Sequence, residues 1–270
     1  MGLFGFFNYE KEGPGIDKNA PKKKTFIVFF ETFFRNFWKF VSINAVYSLL
    51  CIPIVTIGFA NVGITNVTRN TARDKHSFGL SDFFDTVKKN WKQSLIAGIV
   101  EVAVNVFVGF SIYFYFYNSK SWKWSLGLGI TFFVLVVIRL MAFYVWTLII
   151  TFKFTLRQVW KNSFILVFVN FLRNLLCAVI LLAVYALYIV IPFLLPYAIT
   201  IAIEVILAVC TLPAFRFLLI QYVSFPAIKK YIIDPYYEAH PDDDIEQRRN
   251  LGVFEEEEIA EEDTEETKEE

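Results

Sequence analysis

The chain has 270 residues, 26 basic and 26 acidic, so its formal net charge is zero. It is 56% hydrophobic and 19% aromatic, with 31 Phe and a mean hydropathy of +0.48. A soluble domain holds about 45–50% apolar residues with glycine counted, so this excess excludes an ordinary soluble enzyme.

The chain opens on a polar arm, residues 1–25, with Gly13-Pro14-Gly15 and Lys22-Lys23-Lys24. It lacks the basic-then-apolar block of a secretory signal, so no cleavage is expected. Phe6 stands where a myristoylation signal needs Ser or Thr. An apolar stretch at 37–57 follows, with Ile52-Pro53-Ile54 near its far end. Residues 58–72 are shorter and more polar, carrying Asn61, Asn66 and Asn70. Further apolar runs lie at 93–117, 124–152, 172–195 and 197–223. All except 58–72 reach the ~18 residues needed to cross a bilayer as a helix. Residues 236–270 form an acidic tail, expected to be self-repelling and unfolded. From Phe254 onward there are eleven acidic residues and one lysine, which leaves residues 1–253 at a net +10.

Charge placement decides whether 58–72 crosses. If it does, lysines and arginines sort to one side: seven before the first span, six from Arg69 to Lys92 and four from Lys153 to Arg173. Lys120 and Lys123 alone fall on the other side. The positive-inside bias therefore predicts an all-α integral membrane protein with six transmembrane helices and both termini cytoplasmic. The polar second span is expected to lean on other helices with its asparagines paired. Trp38, Trp91, Trp146 and Trp160 fall at predicted inner boundaries, and Trp122 and Trp124 at an outer one, as interfacial aromatic belts require.

Two amphipathic helices are predicted on the cytoplasmic side. In residues 81–92, Leu80, Phe83, Phe84, Val87 and Trp91 share one face, and Lys88, Lys89 and Lys92 form the basic end. A second begins at Thr155, with Leu156, Val159, Trp160 and Phe164 opposite Arg157, Gln158 and Lys161. Lys89-Asn90 and Lys161-Asn162 hint at an internal repeat of interfacial helix and span. Such helices either lie among the headgroups or offer a docking surface to a partner.

Four charges fall inside predicted spans: Glu101, Arg139, Glu204 and Arg216. Each is costly there, about 2.5–3.5 kcal/mol for Asp, Lys or Arg at mid-helix. Glu101 and Arg139 are placed at compatible depths and are expected to pair. Arg216, near an inner end, is expected to snorkel to the headgroups. Glu204 has no basic residue at matching depth. It is a protonated, hydrogen-bonded carboxyl or else part of a substrate or proton site. Cys51, Cys177 and Cys210 all sit in apolar runs, where packing is the simplest role and a metal site or disulfide the alternative. No metal-ligand pattern, phosphate loop, dinucleotide fingerprint or nucleophile elbow occurs, so no cofactor and no enzymatic activity are expected. Lysines beside a span read as anionic-lipid contacts, so the lipid bilayer and not nucleic acid is the expected partner.

The start Gly2-Leu3-Phe4-Gly5-Phe6-Phe7-Asn8-Tyr9-Glu10, then Gly13-Pro14-Gly15-Ile16 and Pro21-Lys22-Lys23-Lys24, form a specific combination. Arg35-Asn36-Phe37-Trp38-Lys39, Ile52-Pro53-Ile54-Val55-Thr56-Ile57-Gly58, Phe83-Phe84 and Lys89-Asn90 follow at matching distances. Together these resemble the YesL family of multi-pass membrane proteins of Gram-positive bacteria, over roughly residues 1–235. The resemblance implies a non-enzymatic accessory or regulatory role linked to carbohydrate ABC import, with permease subunits or a second copy as partners. It supplies no catalytic residues. The E-A-A-x-x-x-G coupling signature of importer permeases is absent, which argues against the chain being the permease itself. The alternative is a small transporter or channel acting on its own, with the buried carboxylates on its path.

Overall fold

The computed structural model describes residues 25–75, 77–118, 122–194 and 198–239. Among them there are helices and no strand: α1 (Thr25–Arg35), α2 (Phe37–Cys51), a 3₁₀ turn (Ile54–Thr56), α3 (Ile57–Ala72), α4 (Leu80–Tyr117) and α5 (Trp122–Thr151). Then come α6 (Leu156–Val169), α7 (Phe171–Leu194), α8 (Ala198–Ile228), a π-helical turn (Lys229–Ile233) and α9 (Asp234–Ala239). The polar arm and most of the acidic tail lie outside the described residues. Helix continues to Ala239, a few residues past the sequence-based start of that tail.

Four helical stretches are long and apolar enough to cross a membrane: α4, α5, residues 171–191 of α7, and residues 201–238 running from α8 through α9. The described residues are all-helical in architecture, and their apolar helices suit a membrane. The 15-residue α2 is apolar but shorter, because Pro53 breaks the expected 21-residue run after Cys51. The 16-residue α3 is the innermost helix, with ten of its residues buried.

A helix this polar survives burial because its polar atoms find partners. Thr65, Thr68 and Thr71 donate their hydroxyls to the carbonyls of Asn61, Ile64 and Val67 one turn back. Its glycines set how closely neighbours approach. A Cβ on Gly58 would lie 1.9 Å from the Ser94 carbonyl oxygen, and one on Gly98 would lie 2.7 Å from Gly58 Cα. The backbones of α3 and α4 therefore touch at this crossing, as small residues allow. A Cβ on Gly63 would strike the Phe83 ring at 2.5 Å.

Both segments read as amphipathic from sequence are helical and adjoin longer apolar helices, but the second joint is not where the sequence placed it. Residues 80–89 of α4 meet the span at Asn90, whose φ/ψ of −114°/16° is not helical. Asn36 joins α1 to α2 at −105°/17°, and Asn170 joins α6 to α7 at −112°/28°. The joint after α6 thus falls at Asn170, eight residues beyond Asn162. Asn36 and Asn90 each donate their side-chain amide to the carbonyl four residues back, on Thr32 and Thr86. Glu31-Thr32-Phe33-Phe34-Arg35-Asn36-Phe37 and Asp85-Thr86-Val87-Lys88-Lys89-Asn90-Trp91 carry this shared joint. Thr155 and Gln158 form a capping box that starts α6.

Helix α1 is an element that the sequence reading left unassigned. It buries Phe29, Thr32 and Phe33 and exposes Phe26, Ile27 and Phe34. The rings of Phe29 and Phe33 meet Phe215 edge-on, and the Tyr222 hydroxyl donates to Thr32. Trp146 also departs from expectation. It is 2% exposed and packs in the core, whereas Trp38, Trp91, Trp122 and Trp124 are exposed as a belt requires.

Candidate functional site

The polar residues inside the bundle fall into linked groups. The Tyr47 hydroxyl of α2 donates to Asn61 Oδ1 of α3 at 3.1 Å, and Asn61 Nδ2 donates to Glu101 Oε2 of α4 at 3.4 Å. This chain ties three helices through side chains that each supply what the next lacks. Among the described residues, no ion pair within 4.0 Å links Glu101 to Arg139. Arg216 is half-buried, and its guanidinium carbon lies 5.2 Å from the Phe217 ring centre.

Arg139 lies on an exposed face of α5. Its neighbour Leu140 is 1% exposed, so the interior is reached one position on. Glu204 is half-buried on α8, and both its carboxyl oxygens are shielded with no hydrogen-bond partner among the described residues. Lys88, Lys89 and Lys92 are all exposed, and Lys92 Nζ sits 5.5 Å from the Trp91 ring centre. Phe83 is the fully buried anchor of that helix, with Leu80, Phe84 and Trp91 exposed.

The cavity beside Glu101 is bounded by Ala97, Val104, Ile138, Ala142, Val145, Trp146 and Trp160 and measures about 10 Å³. A single water needs at least about 10–15 Å³ by this measure. The carboxylate therefore sits in packed surroundings with no room for a solute.

Three further polar groups were not singled out from sequence. Pro213 has no N–H and disrupts the preceding turn of α8. Asn44 of α2 packs against that turn: Nδ2 donates to the Cys210 carbonyl at 2.6 Å, and Oδ1 accepts the Ala214 N–H at 2.8 Å. One carboxamide thus ties α2 to the backbone on both sides of Pro213. Tyr144 donates to Asn174 Oδ1 at 2.6 Å, with Asn170 donating to the same hydroxyl at 3.2 Å. Gln221 Nε2 donates to Thr147 Oγ1 at 2.9 Å. The available signal was a lone Asn or Gln in an apolar run, the same kind that marked the charged residues.

Among the described residues no three His, Cys, Asp or Glu cluster to hold a metal, and all three cysteines are free thiols. The arrangement is suited to holding helices together. A family model described as a protein of unknown function, DUF624, matches residues 40–112. That stretch contains Tyr47, Asn61 and Glu101 and the crossing of Gly58 over Gly98. No match was found among curated proteins or among solved structures. The chain is therefore similar, over that stretch, to a family defined by sequence and not by activity.

Proposed function

We propose that the chain is a non-enzymatic cell-membrane protein that works by contact with another membrane subunit. The partner class implied by its likeness to the YesL family is a carbohydrate ABC importer permease, or a second copy of itself. In this reading it crosses the bilayer six times with both termini cytoplasmic, as three helical hairpins each led by an amphipathic helix: α1, the start of α4, and α6.

The observation that carries the proposal is Arg139. It stands exposed on α5, twelve residues from Thr151, which is about 18 Å along the helix. Charged side chains within spans almost always face a bundle interior or a watery cavity. An arginine at this depth on an outer face calls for a partner that covers it. Phe132, seven residues earlier on the same face, is 60% exposed and extends the surface. The cavity beside Glu101, about 10 Å³, is too small for a solute and supports the same reading.

Purification of the full chain in mild detergent, with and without Arg139→Leu, tests the proposal. A defined second chain or a homo-oligomer should accompany the wild type and be lost in the variant. A monomer in both cases would overturn it. The shielded carboxyl of Glu204 favours a second reading, a small transporter. Solute flux in liposomes that Glu204→Gln abolishes would establish that reading.

A further inference from the structure

A second polar site lies at the opposite end of α3 from the Pro53 break. Arg69 and Arg73, on the last turn and C-cap of α3, line a cavity of about 540 Å³ together with Arg173 of α7. This volume is within the ordinary range for a small-molecule site, about 300–1,000 Å³. The remaining wall is largely apolar: Leu176 and Ile180 from α7, and Leu219 and Phe225 from α8. Leu176 is 61% exposed and Ile180 38% exposed, so that wall continues onto the outer surface of α7.

The cations here lack what buried cations normally have. Arg69 donates to Thr151 at 2.7 Å and to Asn66 at 3.1 Å, but its Nε is buried with no partner among the described residues. Both terminal nitrogens of Arg73 are buried with no hydrogen-bond partner among the described residues. The Arg73 guanidinium stacks on Phe225, 4.4 Å from the ring centre, which fixes its plane but satisfies none of its N–H groups. Lys75, in the following turn, is held down to about 8 by burial and then by the charges of Arg73 and Arg69. A second cavity, of about 430 Å³, borders the first through Arg173 and Pro226 and adds Lys230.

Unsatisfied buried guanidinium donors, an aromatic shelf and an apolar wall open to the outside suit one ligand chemistry. We propose that Arg69, Arg73 and Arg173 bind the phosphate of an anionic phospholipid, whose acyl chains lie along Leu176, Ile180 and Leu219. Arginine forks match phosphate oxygens in geometry as well as charge. Basic pockets between helices at the cytoplasmic face are a recurring way to hold lipid headgroups. A free phosphate ester would use the same guanidinium groups but would leave the apolar wall uncovered.

The test uses the full chain in phosphatidylcholine bilayer discs, with and without phosphatidylglycerol. Bound lipid is counted by native mass spectrometry, and thermal midpoints are measured in parallel. Phosphatidylglycerol should be retained in preference to phosphatidylcholine and should raise the midpoint. Inorganic phosphate at matching concentration should do neither. Arg73→Gln and Arg173→Gln should each cut phosphatidylglycerol retention about tenfold, a loss of about 1.4 kcal/mol. Arg173 is exposed, so its variant should fold even if the Arg73 variant does not. Lys123→Gln, at the start of α5, removes the same charge elsewhere and should leave retention unchanged. Equal retention of the two lipids, or full retention in Arg173→Gln, would overturn the proposal. A midpoint shift with inorganic phosphate equal to that with the lipid would also overturn it, assigning the site to a soluble anion.

Discussion

Asn44 ties α2 to α8 through both ends of its carboxamide. Its amide donates to the Cys210 carbonyl and accepts from the Ala214 N–H, beside the turn where Pro213 supplies no N–H. Asn44→Leu should therefore lower the thermal midpoint, by the about 1–3 kcal/mol of leaving buried groups unpaired. Pro213→Ala added to that variant should recover part of the loss, because α8 can then close its own ladder; no recovery would contradict the clamp. Lys75 offers a second residue-level check, with its amine held down to about 8 by burial, then by Arg73 and Arg69. An unfolded lysine titrates near 10.4. Between about pH 8 and about 10.4 the unfolded chain binds the extra proton, so this residue makes stability rise with pH across that window. Acylation of Lys75 followed by mass spectrometry should show a midpoint near pH 8 that moves up in Arg73→Gln. A midpoint near 10.4 in the wild type would contradict the basic field. At this scale the sequence exposed Glu101, Arg139, Glu204 and Arg216 by charge alone. It could not say which of them face one another, because depth along a helix does not fix the angle around it.

At the scale of elements, the crossing of α3 over α4 depends on two glycines with no room for a methyl group. Gly58→Ala should cost at least about 3 kcal/mol, the upper range for overpacking, since backbone and not a flexible side chain is in the way. Gly109→Ala is the matched control in α4, because nothing lies within 4 Å of its added Cβ. It should stay within about 1 kcal/mol of the wild type. Equal thermal midpoints for the two variants would sink the close-crossing account. Helices α3, α4, α5, α7 and α8 were legible from apolar runs, turn signals and charge, with limits close to those observed. Helix α1 was missed because its run of phenylalanines adjoins the first span, so the break at Asn36 carries no hydropathy signal. Trp146 was misplaced because tryptophan at a helix end marks either an interface or a core, and only neighbouring helices decide. The repeat was visible at Lys89-Asn90, but its third joint moved to Asn170, where Tyr144 and Asn174 receive the side chain. Lys88 and Lys89 remain exposed, so Glu at both positions should release a docked partner without harming insertion. Impaired insertion alone would make the helix a lipid anchor.

At the scale of the whole molecule, the four long apolar helices and the shorter α2 and α3 fit three hairpins led by amphipathic helices. Cysteines introduced singly at 76, 120 and 240, positions outside the described residues, report the sides directly. Residues 76 and 240 should label from the cytoplasm and residue 120 from outside, whereas labelling of 76 from outside would remove α3 as a crossing. A bundle so arranged has a packed centre around Glu101 and places an arginine where lipid would otherwise lie. The most direct test of a protein that acts by contact is a photo-crosslinking residue at position 132, on the face shared with Arg139, activated in native membranes. The account predicts a covalent adduct to one defined polypeptide, a second copy or a distinct membrane subunit, which disappears in Arg139→Leu. Adducts to lipid alone, unchanged by that substitution, would contradict it.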